Sequence, residues 1–474
     1  MKPIVLLIAI CLVCACSDDD NGNANPKQDG SVPAGDGTTP QGDGPAASGC
    51  PTPTKEIAAG VCGLLGGAAN AITSNLTLTA DKTWVLQGGV FVGDDQKETV
   101  LTIEAGTTVY GDTAGTSPSF LTIRRHSRIM AVGTKEKPIV FTSIAEKGKR
   151  KRGDWGGIII NGLATINCQT APCEAEGEGS TGKYGGSDDA DSSGTLKYVR
   201  IEFAGKLITS KNELNSLALQ AVGSGTTLEY IQVHMGADDG IEFFGGTASF
   251  KYVLSTGIDD DNLDWTDGWR GKGQFFVAQQ YDDAGDNGIE ADNNAENNTY
   301  TPRSKPTISN ITLIGSPSSS KSDLGMLLRE GTGANISNAI VTAWNEACLS
   351  INNDETYKNA YDGSKLSGEL TLTNSIINCQ TPYTECAVGD TCTATPAFTV
   401  ADFYEKLNSD NQKADPKLKA PTDEASPDFA PDSGSPAASG AKVPSDSFFE
   451  QVTFIGGVDP ANDWTKGWTT SDKD

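Results

Sequence analysis

Short stretches in which apolar residues alternate with polar ones recur along most of the chain. One series sets a polar or aromatic residue ahead of a β-branched run, as at residues 196–201, 228–233 and 250–254. Members of a second series, such as residues 240–243 and 262–265, lie between those of the first. Alternation of this kind is typical of half-buried β-strands.

The spacing of these strands predicts the fold class. Successive members lie mostly 22 to 28 residues apart, with Gly, Asn and Asp turns between them. This pattern predicts an all-β fold, a right-handed parallel β-helix with coils of about 22–26 residues. A β-propeller is the alternative, although its blades need four strands and about 40 residues each. We assign residues 50–395 to the solenoid, 396–447 to an extended linker, and 448–474 to an aromatic cap that covers the last coil.

Several motifs rich in glycine and aromatic residues resemble a known family. They lie at residues 153–161, 236–246 and 263–270, with a closing block at 448–456 and 463–468. These motifs resemble the hallmark blocks of outer-membrane β-helix lipoproteins of Bacteroidota and some proteobacteria, which have a pectate-lyase-like solenoid. The resemblance implies the fold and the cellular location, and it does not imply an activity.

The N-terminus predicts export and lipid anchoring. An apolar run at residues 4–13 ends in a sequence similar to a lipobox, so residues 1–15 are a predicted signal peptide and Cys16 a predicted lipidation site. The acidic residues 18–20 resemble an export tag for the cell surface. Residues 16–49 are almost free of apolar side chains and predict a flexible stalk. We therefore expect a protein of the outer membrane that faces the exterior and contacts the bilayer only through its lipid.

Eight cysteines remain after processing and lipidation, and an even number in an exported protein predicts disulfides. Local spacing favours the pairs Cys50–Cys62, Cys168–Cys173 and Cys386–Cys392, and Cys348–Cys379 remains as the fourth pair. Eight cysteines allow many other pairings, so the connectivity is a hypothesis.

Charge narrows the possible ligands. The formal net charge of −26 argues against binding to nucleic acid, which needs a cationic face. The glycine-rich residues 177–184 lack the Ser or Thr that follows the lysine of a phosphate-binding loop, so we expect no bound nucleotide. With only two histidines in the chain, carboxylates and carbonyls are the metal ligands on offer, and they suit Ca²⁺.

Acidic residues recur at matching positions of three consecutive coils. Equivalent residues of stacked coils lie about 4.8 Å apart, so these carboxylates would repel one another unless a cation compensates them. We therefore predict a Ca²⁺ site. Its ligands would be Asp238, Asp239, Glu242, Asp260, Asp261, Asp264, Asp286 and Glu290. Two alternatives stay open, namely solvated turn-capping residues and catalysis.

The catalytic alternative is a polysaccharide lyase or glycoside hydrolase. It would use the paired aspartates Asp238, Asp239, Asp260 and Asp261, with Arg270 as a base. Because no complete acid–base set is evident, we favour a surface protein that binds a glycan or another surface component without catalysis. Phe244, Trp269 and Tyr281 are candidates for stacking against a sugar ring, and packing alone is an equal alternative for them.

Overall fold

The computed structural model describes residues 49–474 apart from 116, 210–211, 364–365, 388–391 and 393. The predicted signal peptide, Cys16 and all but the last residue of the predicted stalk lie outside the described residues. Within the described part of the chain, no helix is both long and apolar enough to cross a membrane.

Most strands belong to two long sheets, here named sheet A and sheet B. Sheet A has 17 strands: Lys55–Ala58, Val61–Leu65, Leu76–Leu78, Thr83–Gln87, Val100–Ile103, Thr108–Gly111, Arg128–Val132, Ile139–Ser143, Gly194–Glu202, Thr227–His234, Ser249–Thr256, Lys272–Gln279, Thr307–Ile314, Ala334–Thr342, Leu370–Thr373, Ile376–Asn378 and Gln412–Lys413. Sheet B has 10 strands: Gly89–Val92, Phe120–Ile123, Ile158–Asn161, Leu217–Gln220, Ile241–Phe244, Leu263–Thr266, Ile289–Ala291, Leu324–Leu328, Ala347–Ile351 and Tyr383–Thr384.

Strands from successive coils pair in parallel. In sheet A, Thr227–His234 lies between Gly194–Glu202 and Ser249–Thr256. In sheet B, Ile241–Phe244 lies between Leu217–Gln220 and Leu263–Thr266. The chain is therefore a parallel β-helix, as predicted. The propeller alternative is wrong, because stacked parallel strands do not form the blades of a propeller.

Shorter elements occupy the excursions from the coils. Three antiparallel hairpins are formed by Ala175–Glu176 with Lys183–Tyr184, Lys206–Thr209 with Asn212–Leu214, and Leu418–Ala420 with Asp428–Pro431. The helical segments are Ala68–Asn70, Glu178–Ser180, Asp354–Ala360, Val400–Asp402, Phe403–Leu407 and Pro436–Ala438.

The interior is filled by the apolar residues of the alternating pattern. In sheet B, Ile241 and Phe243 point inward together with Leu263 and Trp265 of the next coil. Because side chains alternate between the two faces of a strand, the residues between them face outward. This alternation positions the site described below.

The part of the chain predicted as a linker covers the last coil. Val400, Phe403 and Tyr404 are buried in the main core, and the Tyr404 hydroxyl donates to the carbonyl of Ser375 at 2.7 Å. The prediction of an extended linker at residues 396–447 is therefore wrong. Of the three helical segments in this range, Val400–Asp402 and Phe403–Leu407 bury apolar side chains against the end of the solenoid.

The aromatic C-terminal segment lies along sheet A. Three tyrosines of successive coils, Tyr198, Tyr230 and Tyr252, stack with 4.4 Å between adjacent ring centroids. Trp468 packs edge-on against Tyr198 at 5.5 Å, and Trp464 packs against Tyr252 at 5.6 Å. The segment therefore covers this tyrosine stack, which belongs to coils that precede the last one. The prediction that residues 448–474 cover the last coil is wrong.

All four predicted disulfides are present. The bonds join Cys50 to Cys62, Cys168 to Cys173, Cys348 to Cys379, and Cys386 to Cys392. The predicted connectivity is confirmed, both for the three pairs that local spacing favoured and for the remaining pair.

Candidate metal centre

Three adjacent strands of sheet B carry a column of carboxylates. Parallel pairing sets Glu242 opposite Asp264, and Asp264 opposite Glu290. Their neighbours Ile241 and Phe243 lie in the core, so the alternation of the strand directs the carboxylates to the outer face. The acidic column is thus a direct consequence of strand register.

The turns that lead into these strands add further carboxylates and form a groove beside the column. The groove has a volume of about 350 Å³ and is lined, among the described residues, by ten acidic residues and one asparagine. They are Glu178, Glu213, Asn215, Asp238, Asp239, Glu242, Asp260, Asp261, Asp264, Asp286 and Glu290. The structure therefore brings together all eight residues of the predicted ligand set.

Three lining residues lie outside the predicted ligand set. Glu178 lies in the helical turn Glu178–Ser180, and Glu213 lies in the hairpin strand Asn212–Leu214. Asn215 follows that hairpin and donates a hydrogen bond of 2.5 Å to the carboxylate of Glu242. Glu178 and Glu213 come from excursions between coils, so the periodicity does not indicate them, whereas Asn215 is the register equivalent of Asp239. The one signal in the sequence is the acidic residue that each excursion carries.

Two of the aspartates also hold neighbouring coils together. The Asp239 carboxylate accepts the backbone N–H of Asp261 at 3.1 Å, and the Asp261 carboxylate accepts the backbone N–H of Asn287 at 2.8 Å. Asp239 and Asp261 are only 7% and 4% exposed. The alternative of solvated turn residues is therefore wrong for this pair.

The carboxylate oxygens are close enough to share cations. Four groups of three carboxylates each have one oxygen per residue within 4.8 Å of the others. The groups are Glu213, Asp238 and Asp260; Asp239, Glu242 and Asp264; Asp239, Asp260 and Asp261; and Asp261, Asp264 and Glu290. Since the groups share members, they form one continuous acidic surface that could hold a metal ion.

One buried carboxylate oxygen in this acidic surface lacks a hydrogen-bond partner. The Oδ1 atom of Asp264, at the centre of the column, is buried and accepts no hydrogen bond. A buried carboxylate oxygen without a partner is costly, and a bound cation relieves that cost. An all-oxygen donor set suits a hard cation, so the residues fit such an ion.

Three aspartates, Asp238, Asp260 and Asp286, lie at the edge of the groove. Burial and mutual repulsion disfavour their charged forms. Burial, followed by the charge of Glu213, raises the pKa of Asp238 to about 7. Burial and the charge of Asp238 raise the pKa of Asp260 to about 7. Burial and the charge of Asp260 raise the pKa of Asp286 to about 8. Without a cation, these groups retain protons close to neutral pH.

The pKa values of the carboxylates at the floor of the groove are also raised. These carboxylates are Asp239, Glu242, Asp261, Asp264 and Glu290. Burial, followed by the charge of Asp264, raises the pKa of Asp239, Glu242 and Glu290 well above the usual range. The pKa values of Asp261 and Asp264 are also raised, first by burial. The whole groove therefore favours binding of either protons or cations.

A single arginine lies beside one end of the column. Arg329 donates hydrogen bonds to Glu290 and to Asp292, the latter at 3.0 Å. These two carboxylates raise the pKa of the guanidinium despite its burial. Arg329 therefore neutralises part of the charge at this end of the groove and leaves the rest uncompensated.

Arg270 lies away from the acidic groove. Its guanidinium donates to Asp189 at 2.8 Å and lines a different cavity, which shares no residue with the groove. The hypothesis that Arg270 acts as a base beside Asp238 and Asp260 is therefore wrong.

The three aromatic residues proposed to stack on sugars are buried. Trp269 is fully buried and stacks on Phe243 with 4.0 Å between ring centroids. Tyr281 is fully buried in a small cluster, and Phe244 is 9% exposed and packs against Tyr184. Their assignment to ligand binding is wrong, because their rings are used in packing.

Comparison with known proteins supports the fold. A family model described as a pectate-lyase-like beta helix domain matches residues 70–469. No curated protein and no solved structure matches the chain. The matched region includes the coils, the acidic groove and the aromatic C-terminal segment.

Proposed function

Because the chain belongs to the pectate-lyase-like β-helix family, we propose that it binds Ca²⁺ in the acidic groove and, with that ion, an anionic glycan. The observation that carries this proposal is the accumulation of ten carboxylates in one groove, one of which, Asp264, has a buried Oδ1 atom without a partner. The fold of the family fits a glycan-related role.

The groove suits calcium for chemical reasons. Ca²⁺ takes six to eight oxygen ligands in a flexible geometry, and several carboxylates in one site raise its affinity. Asp239, Glu242 and Asp264 would hold an ion at the floor, and Glu213, Asp238 and Asp260 would hold one at the edge. Bound calcium supplies positive charge and free coordination positions for an acidic sugar.

The surroundings favour binding over catalysis. Among the described residues that line the groove, none is a lysine, arginine or histidine. Arg329 lies beside one end of the carboxylate column, and it already forms ion pairs with Glu290 and Asp292. A proton acceptor with a free lone pair is therefore limited to the carboxylates themselves.

One observation favours the catalytic alternative. Asp238 and Asp260 have pKa values of about 7, which suit proton transfer at neutral pH. Incubation with acidic polysaccharides, followed by assay of unsaturated and reducing ends, separates the two functions. Turnover that is abolished by Asp238→Asn would establish a lyase or hydrolase.

Membrane attachment through Cys16 completes the proposal. The lipobox-like sequence and the acidic residues after it support an outer-membrane lipoprotein that faces the exterior. Palmitate labelling of the full chain in cells, compared with Cys16→Ser, tests the anchor. Protease treatment of intact cells tests the orientation.

Calorimetric titration with a galacturonic acid oligomer tests glycan binding. We expect millimolar calcium to strengthen binding relative to EDTA, and Asp239→Asn/Asp261→Asn to lose most of that gain. Glu136→Gln, which removes an exposed carboxylate outside the groove, is the matched control. No gain from calcium in the wild type, or an equal gain in the double variant, would overturn the proposal.

A further inference from the structure

A second groove, which shares no lining residue with the acidic one, lies beside sheet A. It has a volume of about 550 Å³, within the range of small-ligand sites. Its lining includes three cationic side chains, Lys251, Arg270 and Lys272, and one carboxylate, Glu229. Six Ser or Thr residues also line it. This excess of cations is opposite to the net charge of −26 on the chain.

The closing block of the sequence supplies an aromatic ring to this groove. Phe448 is partly exposed, and two ammonium groups lie over its ring. The Nζ atoms of Lys251 and Lys272 are 5.1 Å and 6.0 Å from the ring centroid. An aromatic face beside cations offers both a stacking surface and a charge for a ligand.

The loop that carries the ring is fixed at both ends. Before the ring, the Asp446 carboxylate accepts the backbone N–H of Phe448 at 2.9 Å and the Lys272 ammonium at 2.6 Å. After the ring, Glu450 accepts the Lys251 ammonium at 2.9 Å. The Gln274 side chain both donates to and accepts from the backbone of Glu450. The ring is therefore held in place before any ligand arrives, which lowers the entropic cost of binding.

The cations keep donors for a ligand. A lysine ammonium has three N–H donors, and each of the two ion pairs just described uses one of them. The only carboxylate in the lining, Glu229, is already paired with Lys197 at 2.7 Å. The groove can therefore offer several N–H donors without competition from a free acid.

We propose that this groove binds an anionic sugar unit, carboxylated or sulfated, without calcium. The sugar ring packs on Phe448, its charged group accepts hydrogen bonds from Lys251 and Lys272, and its hydroxyls meet the Ser and Thr side chains. This site is additional to the calcium-dependent one and does not depend on it.

Titration of the calcium-stripped protein in EDTA tests this site separately from the acidic groove. The probes are a galacturonic acid oligomer, a sulfated galactose oligomer and a neutral galactose oligomer. We expect at least one anionic oligomer to bind more tightly than the neutral one, and the oligomer that binds identifies the charged group. Phe448→Ala should weaken that binding by about tenfold, whereas Phe448→Tyr should retain it.

Lys272→Gln tests whether the positive charge of Lys272 contributes to binding of the anionic oligomer. Lys358→Gln, which removes a positive charge at an exposed position outside the groove, is its control. Thermal melts of all variants report whether they fold. Three results would overturn the proposal: no anionic oligomer binds in EDTA, the neutral oligomer binds as tightly, or Phe448→Ala binds as well as the wild type. Loss of the calcium-dependent binding alone would contradict the proposed function and leave this site intact.

Discussion

The Asp239 carboxylate accepts the backbone N–H of Asp261 in the next coil, with 3.1 Å between oxygen and nitrogen. The same contact repeats one coil later, where Asp261 accepts the N–H of Asn287 at 2.8 Å. In the third coil the acceptor is an amide, because Asn287 Oδ1 accepts the N–H of Leu324 at 3.2 Å. A neutral side chain can thus make this contact, so the negative charge at the first two positions is not needed for the fold.

Substitution of both aspartates should stabilise the metal-free protein. In Asp239→Asn/Asp261→Asn the amide oxygens can keep both contacts, while the repulsion within the groove falls. We expect the free energy of unfolding in EDTA to rise by on the order of 1 kcal/mol. Denaturant unfolding of the calcium-stripped proteins measures it. A variant less stable than the wild type in EDTA would show that the charges themselves support the fold.

The stability of the metal-free protein should fall as the pH rises. The pKa values of Asp238 and Asp260 are about 7 in the folded state, against an ordinary 3.8. Groups whose pKa is raised by folding stabilise most below the unfolded pKa, and they lose this contribution as the pH rises through the folded value. Melting temperatures of calcium-stripped protein should therefore fall from about pH 4 to about pH 7, the interval between the ordinary and the folded pKa of Asp238 and Asp260.

The same pH series in millimolar calcium is the control. Bound cations should hold the carboxylates in their charged form, so the decrease should be much smaller. An equal decrease with and without calcium would show that other groups cause it.

Arg329 should be important for stability at one end of the column. Its removal in Arg329→Gln leaves Glu290 and Asp292 without their ion pairs. We expect a loss of about 1–3 kcal/mol in the free energy of unfolding of the metal-free protein. Arg128→Gln, which breaks a more exposed pair with Glu98, is the comparison and should cost less. Equal effects of the two substitutions would contradict the role assigned to Arg329.

Strand periodicity predicted the fold and the acidic column because both depend on register alone. Once Glu242, Asp264 and Glu290 occupy equivalent positions of stacked strands, parallel pairing aligns them. Ile241 and Phe243 occupy the alternate positions of the same strand, and both are buried. The short-range disulfides followed from their spacing.

Residues outside the register could not be predicted in this way. Trp269 lies at a corner between the sheets, where alternation does not apply, and it turns into the core. Glu178 and Glu213 reach the groove from excursions whose paths the repeat does not encode. The position of Trp464 and Trp468 depends on a tyrosine stack contributed by distant coils.

The disulfide Cys348–Cys379 should contribute more to stability than Cys386–Cys392. It spans 31 residues rather than six, and a longer closed loop restricts the unfolded chain more strongly. Loss of the longer one by paired Cys→Ala substitution should cost about 3–4 kcal/mol, and loss of the shorter one about 2 kcal/mol. Denaturant unfolding measures both. The reverse order would show that native-state effects outweigh loop entropy.

Calcium binding to the folded chain is the central claim, and thermal melting with metal analysis tests it most directly. Binding only to the folded state stabilises by about 2.7 kcal/mol at a hundredfold excess of ligand over Kd. The melting temperature of the wild type should rise from excess EDTA to millimolar calcium, and the purified protein should retain calcium. Asp239→Asn/Asp261→Asn, which keeps Glu213, Asp238 and Asp260, should rise by less than the wild type. Identical melting curves in EDTA and calcium, with no calcium in the protein, would contradict the account.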